Sequence, residues 1–191
     1  MLRSEHARAA MTAGGSHEMG ISDRLVGVAI PRVILCDAVG RPVGLHESRS
    51  VVIYTYPGCR SSPGDGEQTA IMDNAQHRAF RQHQQALEAR RYIPIGISSQ
   101  PRIGQQRALV VNRLSHTLLS DPGFELADAL GLPTFTREGE RFYQRLVLIA
   151  SGGVIRKVFF PVSNALRSPA QALAWLTMQG AVRDVDNDDA G

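Results

Sequence analysis

Between positions 51 and 59 the chain reads Val51-Val52-Ile53-Tyr54-Thr55-Tyr56-Pro57-Gly58-Cys59. The first six residues are β-branched or aromatic, and Pro57-Gly58 stops the run, which is the profile of a strand buried on both faces. The stretch from Pro57 to Met72 has no hydrophobic period and predicts a long loop directly after this strand. Loops of this length in compact domains are commonly functional, so Cys59 stands where chemistry is expected.

The segments around this strand alternate between strand and helix patterns. Before the strand at 51–56, a hairpin of Val33 to Cys36 and Pro42 to Leu45 is predicted. After it, we predict a helix capped by Asp73 and running to about Arg90, a strand from Tyr92 to Ile97, a helix from Pro101 to about Leu114 and a helix from Asp121 to Gly131. The last elements are antiparallel strands from Arg145 to Ala150 and from Val154 to Phe160, and a helix from Ser168 to about Gln179. Parallel strands joined by crossover helices and followed by an antiparallel hairpin predict an α/β fold with a central mixed β-sheet flanked by helices.

The length of 191 residues fits one domain of ordinary size. Residues 1–22 are rich in Ala, Gly, Ser and His without a period, and residues 183–191 are small and acidic. We therefore predict one domain over residues 23–182, with a flexible tail at each end.

The distribution of charged and apolar residues indicates whether nucleic acid or a membrane is an expected partner. The net charge of +3 comes from arginines scattered along the chain, whereas binding to nucleic acid needs basic residues clustered on one face. No apolar run reaches the length of a membrane span, and the first 20 residues hold no hydrophobic stretch suited to secretion. We expect no nucleic-acid partner, no membrane partner and a cytoplasmic location.

The number and spacing of the cysteines and histidines limit the kinds of thiol and metal chemistry to expect. The chain has two cysteines, Cys36 and Cys59, and two thiols in a reducing compartment are more often free or catalytic than joined in a structural disulfide. The six histidines are spread out and no cysteine pair has short spacing, so no metal site is predicted. Gly64-Asp65-Gly66 lacks the lysine of a phosphate cradle, and no cofactor is expected.

The order of elements resembles the peroxiredoxin-like branch of the thioredoxin superfamily, which includes alkyl hydroperoxide reductase, thiol-specific antioxidant and redoxin proteins. The resemblance rests on Val51 to Pro57, on Leu118-Leu119-Ser120-Asp121-Pro122 and on Arg145-Leu146-Val147-Leu148-Ile149, and it spans about residues 28 to 178. It implies a thioredoxin-like fold and a thiol-dependent oxidoreductase that reduces a peroxide or a disulfide.

The resemblance also implies a set of catalytic residues. Cys59 matches the first cysteine of a thioredoxin-type Cys-x-x-Cys, and Ser62 stands in the second position. Arg145 matches the arginine that brings positive charge to the thiolate, and the hydroxyl of Thr55 is a candidate hydrogen-bond donor to it. Because Ser62 cannot form a disulfide with Cys59, an external thiol is the expected reductant. A homodimer is among the arrangements that the family uses.

Two alternatives stay open at this point. Aligning the helix through Arg78-Ala79-Phe80-Arg81 puts the peroxidatic position close to Asp73, which favours a degenerate redoxin that acts as a binding module. A thioredoxin-like disulfide exchanger differs from a peroxidase only in its oxidant. Among the other residues, Cys36 is interpreted as a small hydrophobe and His83 as a satisfied core histidine, with His77 and His116 no better placed for catalysis.

Overall fold

The structure, a computed structural model, describes residues 14–58 and 66–188. Its helices are α1 (Gly14–Leu25), α2 (Gly66–Glu88), α3 (Arg102–Asn112), α4 (Glu125–Leu130) and α5 (Ser168–Asp188), with a short 3-10 helix at Leu45–Glu47. Its strands are β1 (Ile34–Asp37), β2 (Pro42–Gly44), β3 (Ser50–Thr55), β4 (Ile93–Ser98), β5 (Thr117–Ser120), β6 (Thr134–Arg137), β7 (Glu140–Tyr143), β8 (Val147–Ser151) and β9 (Val154–Phe159).

Strand β3 lies inside a mixed sheet. Within the described segments, seven strands pair in the order β2-β1-β5-β4-β3-β8-β9, while β6 and β7 form a separate hairpin. Strands β3, β4 and β5 run parallel, and β8 pairs with β3 in the antiparallel direction. The predicted central mixed sheet flanked by helices is confirmed.

The alternation of side chains along β3 creates two hydrophobic cores. Val51 and Ile53 point into one core, which α1 and α4 cover with Leu25, Leu126, Ala127 and Leu130. Val52 and Tyr54 point into the other, which α2 and α5 cover with Phe80, Leu87, Ala172 and Leu176. Both faces of β3 are therefore excluded from water, as the continuous apolar run predicts.

Several element predictions are confirmed. The first hairpin, the strand after the long helix, and the antiparallel strands β8 and β9 form where the sequence places them. Helix α4 ends at Gly131, whose φ of 59° is the left-handed cap that glycine favours. The Asp121 carboxylate accepts hydrogen bonds from the N–H groups of Glu125 and Leu126, at 2.8 and 3.1 Å, and so satisfies the start of this helix.

Other element predictions are wrong. Helix α2 already begins at Gly66, so Asp73 lies within the helix and does not cap it, and the predicted loop to Met72 is shorter. The first buried side chains of α2 are Asp73, Gln76 and His77, which are polar and give no apolar period. Strand β5 and the hairpin of β6 and β7 were not predicted.

The ends of the described chain are helical. Helix α1 covers Gly14–Leu25 and helix α5 continues to Asp188, so helices reach into the predicted tails 1–22 and 183–191. The boundaries of the domain at residues 23 and 182 stay predictions. Across the described segments, none of the helices combines the length and the apolar character that a membrane span requires.

Candidate active site

The candidate site lies where β3 ends, at Thr55, Tyr56, Pro57 and Gly58. Gly58 has a φ of +78°, a conformation that side chains rarely adopt, and a β-carbon there would lie 2.3 Å from Cγ of Gln100. The backbone N–H of Gly58 donates to Oδ2 of Asp73 at 3.1 Å. Glycine therefore lets the chain turn tightly against the end of β4 while its amide faces helix α2.

The crowding at Gly58 can be measured with a matched control. We expect Gly58→Ala to lower the free energy of unfolding by about 1–3 kcal/mol, through left-handed strain plus the contact with Gln100. Gly139 has a φ of +79°, and a β-carbon there would meet no atom within 4 Å, so Gly139→Ala carries the strain alone. Chemical denaturation of both variants isolates the contact. Equal losses would show that the end of β3 is not crowded.

An ion pair joins helix α2 to the segment before β8. Nη2 of Arg145 lies 2.7 Å from Oδ1 of Asp73, and Nη1 of Arg145 donates to Oε1 of Gln76 at 2.5 Å. The two charged side chains are 16% and 6% exposed, so water screens the pair weakly. Burial raises the pKa of Asp73 to about 6, although the Arg145 guanidinium and the Gly58 N–H both favour its charged form.

The hydroxyl of Thr55, at the end of β3, forms hydrogen bonds with the residues on both sides of Arg145. It donates to the carbonyl of Gln144 at 2.5 Å and accepts from the N–H of Leu146 at 3.0 Å. The N–H of Thr55 also donates to the carbonyl of Leu146 at 2.9 Å. These three bonds hold the backbone on both sides of Arg145, and the hydroxyl proton of Thr55 is engaged by Gln144.

A buried chain of polar side chains runs beneath the site. Tyr54 Oη lies 2.9 Å from Nδ1 of His77 and 2.8 Å from Nε2 of His116, and the Tyr54 ring stacks on Phe80 at 4.0 Å between centroids. Burial is the main cause that lowers the pKa of His77 to about 3 and the pKa of His116 to about 4. Both imidazoles are therefore neutral at pH 7.

The hydrogen-bond partners fix the tautomers of this chain. Nε2 of Gln84 donates to Glu88, so Oε1 of Gln84 faces His116 and accepts from its Nδ1 at 3.3 Å. The other nitrogen of neutral His116 then accepts the proton of Tyr54, and Tyr54 in turn accepts from Nδ1–H of His77. The Nε2 atom of His77 is left as the acceptor nitrogen of that ring.

A cleft of about 490 Å³ opens beside these groups, between α2 and α3. Tyr56, Asp73 and His77 line its inner end, and Ile103 and Val111 line its outer wall. The hydroxyl of Tyr56 donates to Oε1 of Gln105, whose amide nitrogen donates to Ser98 Oγ at 2.9 Å. The cleft thus connects the polar end of β3 with the protein surface and has the size of a small-molecule site.

The structure brings some predicted site residues together. Thr55 bonds the residues on both sides of Arg145 at the end of β3, whereas Cys59 and Ser62 lie outside the described residues. Cys36 is a free cysteine, but it is exposed on β1, so it does not pack as the small hydrophobe that the sequence suggested. In the described part of the chain, no group of three His, Cys, Asp or Glu side chains could hold a metal ion.

Sequence reasoning missed the roles of His77 and His116. Both are buried against Tyr54, whereas His83, which the helical stripe singled out, is half-buried and bonds the carbonyl of Ala79 at 2.9 Å. The aromatic Tyr54 in a strand buried on both faces was the available signal. A buried phenol needs hydrogen-bond partners, and histidines are common ones.

The parallel strands β3 to β5 and the antiparallel strands β8 and β9, in a sheet flanked by helices, form a thioredoxin-like fold. Solved structures agree with this assignment. Peroxidoxin BcpB from Mycobacterium tuberculosis superposes with a TM-score of 0.68 at 22% sequence identity, over 80% of this chain and 96% of that one.

Two further structures have the same fold. The bacterioferritin comigratory protein of Xanthomonas campestris, described for its alkyl peroxide reduction, has a TM-score of 0.63 at 18% identity, over 77% of this chain and 91% of that one. Reduced Prx3 of Vibrio vulnificus in complex with H2O2 has a TM-score of 0.65 at 19% identity, over 81% and 97%. No family profile matches the chain, and no curated protein matches it in sequence.

Proposed function

We propose that the protein is a thiol-dependent oxidoreductase of the redoxin type, which reduces peroxides through Cys59 and is regenerated by an external thiol. One observation carries the proposal. The Asp73 carboxylate bridges Arg145, at 2.7 Å, and the amide of Gly58, at 3.1 Å, so a partly buried cation lies close to the residue that precedes Cys59. A nearby arginine stabilises a thiolate, which is the nucleophilic form of cysteine.

The proposed reaction has two stages. In the first, the Cys59 thiolate attacks one peroxide oxygen, the O–O bond breaks, Cys59 becomes a sulfenic acid, and the leaving oxygen takes a proton to give water or an alcohol. In the second, one external thiol forms a mixed disulfide with Cys59 and releases water. A second external thiol then attacks the mixed disulfide, which releases the Cys59 thiol and leaves the two external thiols joined in a disulfide. The reductant is external because Ser62 offers no sulfur for an internal disulfide.

The other proposed site residues support this cycle. Arg145 would stabilise the thiolate and the developing charge on the leaving oxygen. Thr55 would act by positioning, because its three hydrogen bonds hold the backbone around Arg145. The neighbours' fold supports a peroxide as oxidant and a thiol as reductant.

The proposal is tested by the pH dependence of Cys59 reactivity in Cys36→Ser protein, in which Cys59 is the sole thiol. We expect sulfenic acid to form with hydrogen peroxide, trapped by dimedone and seen by mass spectrometry. Its rate should follow a thiol pKa below the ordinary value of about 8.5. An ordinary pKa together with no trapped sulfenic acid would contradict the peroxidase proposal.

A second candidate function rests on the same ion pair. The carboxylate of Asp73 already neutralises Arg145, in the manner expected of a redoxin in which a fixed anion has taken the place of a thiolate. Such a protein would serve as a non-catalytic binding module, with the cleft between α2 and α3 as its binding site. The absence of any peroxide-dependent oxidation of Cys59 would favour it.

Two further features of the biology belong to the proposal. We place the protein in the cytoplasm, because a thiol cycle needs a reducing compartment.

We also propose a homodimer formed through α3, on which Ile103, Val110 and Val111 are 71%, 77% and 59% exposed. Exposed apolar side chains of this size favour an interface. Sedimentation of Val110→Glu against unaltered protein tests it, and a monomer in both samples would contradict it.

A further inference from the structure

A second cavity, of about 470 Å³, lies at the other end of the sheet, where β3 and β4 begin. Its lining includes Tyr92, which precedes β4, and Ser151, which pairs with Ser50 at the first residue of β3. Strand β3 rises about 3.3 Å per residue over its six residues, so this cavity is roughly 17 Å or more from the end of β3. It shares no lining residue with the candidate active site.

The charge of this cavity is positive. Arg90 and Arg156 line it, and no Asp or Glu is among its described lining residues. Arg90 donates to Thr177 Oγ1 at 3.0 Å and to the carbonyl of Ala86 at 3.2 Å, which are neutral acceptors, so its charge is held in place without being paired. Arg156 is exposed, and its side chain makes no hydrogen bond or ion pair with any of the described residues. Two guanidinium groups in this arrangement suit a carboxylate or a phosphate.

The remaining wall is aromatic. Tyr92 and Trp175 are both half-buried, and both pack against the hydrophobic core between the sheet and α2 and α5. Rings that are fixed on one side by a core and line a cavity on the other present a flat apolar surface at small entropic cost. The volume falls in the range of ligand pockets, and Gln179 and Ser151 supply neutral polar groups at its edge.

We propose that this cavity, defined by Arg90, Tyr92, Arg156 and Trp175, binds a small aromatic anion of about the size of a mononucleotide. The ring of the ligand contacts Trp175 and Tyr92, and its carboxylate or phosphate pairs with Arg156 and Arg90. The proposal does not depend on thiol chemistry at Cys59, because the two sites occupy opposite ends of β3.

Calorimetric titration of the full chain with AMP and with naphthoate tests the proposal. We expect both probes to bind. Adenosine has the aromatic ring without the negative charge, and inorganic phosphate has the charge without the ring, so each should bind at least about tenfold more weakly than AMP. Because Trp175 is the only tryptophan of the chain, its emission should change with the same dissociation constant as the heat signal. Failure of both probes to bind at millimolar concentration would overturn the proposal.

Variants then assign the binding to this cavity. Arg156→Ala should weaken AMP binding at least about tenfold, which is the usual cost of losing one charged hydrogen-bond partner. The matched control is Arg32→Ala, an exposed arginine outside the cavity, which should bind AMP as the unaltered chain does. Equal affinities for Arg156→Ala and Arg32→Ala would overturn the assignment. Unchanged AMP binding by Cys59→Ser is expected, and separates this site from the proposed redox function.

Discussion

Cys59→Ser protein is expected to consume hydrogen peroxide no faster than the uncatalysed reaction, whereas Cys36→Ser protein keeps the full rate. The serine hydroxyl cannot form a sulfenic acid, so the loss is complete rather than partial. Cys36 is exposed on β1, which β5 and β4 separate from β3 in the sheet, and this makes it the matched control. Peroxide consumption with a thiol reductant, followed spectroscopically, is the measurement. Equal rates for the two variants and the unaltered chain would contradict the role of Cys59.

The same assay extends to the ion pair that contacts Gly58, the residue that precedes Cys59 in the sequence. Asp73→Asn removes a negative charge next to the Gly58 amide and frees Arg145 to interact with a thiolate. We expect the Cys59 thiol pKa to fall in this variant and peroxide reactivity at pH 7 to rise by up to about tenfold, which corresponds to one pKa unit. Arg145→Met should act in the opposite direction. If Asp73→Asn leaves the thiol pKa unchanged, Asp73 does not act on Cys59.

Acidification from pH 7 to pH 5 is expected to lower the free energy of unfolding by about 2–3 kcal/mol through three buried groups. His77 and His116 have folded pKa values of about 3 and 4, below the ordinary 6.5, so they stabilise the fold above pH 6.5 and lose this contribution as the pH falls. Each contributes a loss of about 2 kcal/mol by pH 5. Asp73 has the opposite effect, because its folded pKa is raised to about 6. Its protonation increases the free energy of unfolding by about 1 kcal/mol between pH 7 and pH 5.

A histidine variant separates these contributions. His116→Gln should remove about 2 kcal/mol of the loss between pH 7 and pH 5, although it also lowers stability at pH 7 by disturbing the bond with Tyr54. His83→Gln, which makes the same substitution at a histidine outside the buried chain, is the matched variant for comparison. Urea denaturation at several pH values is the measurement. An unchanged slope in His116→Gln would show that His116 is not held neutral by the fold.

Much of the fold could be predicted because the residues of β3 alone identify it as a buried central strand. Six consecutive β-branched or aromatic residues fit a strand buried on both faces, and a sheet with both faces covered requires crossover helices around it. The hairpin of β6 and β7 was missed because its strands are short and carry charged residues. Glu138 and Gly139, with φ values of 53° and 79°, are the glycine-containing hairpin turn that could have indicated it.

The candidate site was harder to predict because its buried groups are polar. Asp73, Gln76 and His77 face the sheet from the first part of α2, where an apolar stripe would normally mark the buried face of a helix. Their burial is compensated by Arg145 and Tyr54, which come from elements 69 and 23 residues away along the chain. Pairings over such separations have no local pattern in the sequence, so Arg145 could be selected only by resemblance.

The central position of β3 has a consequence for synthesis on the ribosome. Its antiparallel partner β8 lies 101 residues later at the Ser50 and Ser151 pair, and β4 pairs with its other edge much sooner. During translation, the backbone N–H and C=O groups on the edge of β3 that β8 later covers stay unpaired until β8 has left the exit tunnel. Long-range pairing of this kind slows folding and leaves a strand edge exposed to aggregation. Newly made chains that stop before residue 147 should therefore depend on chaperones.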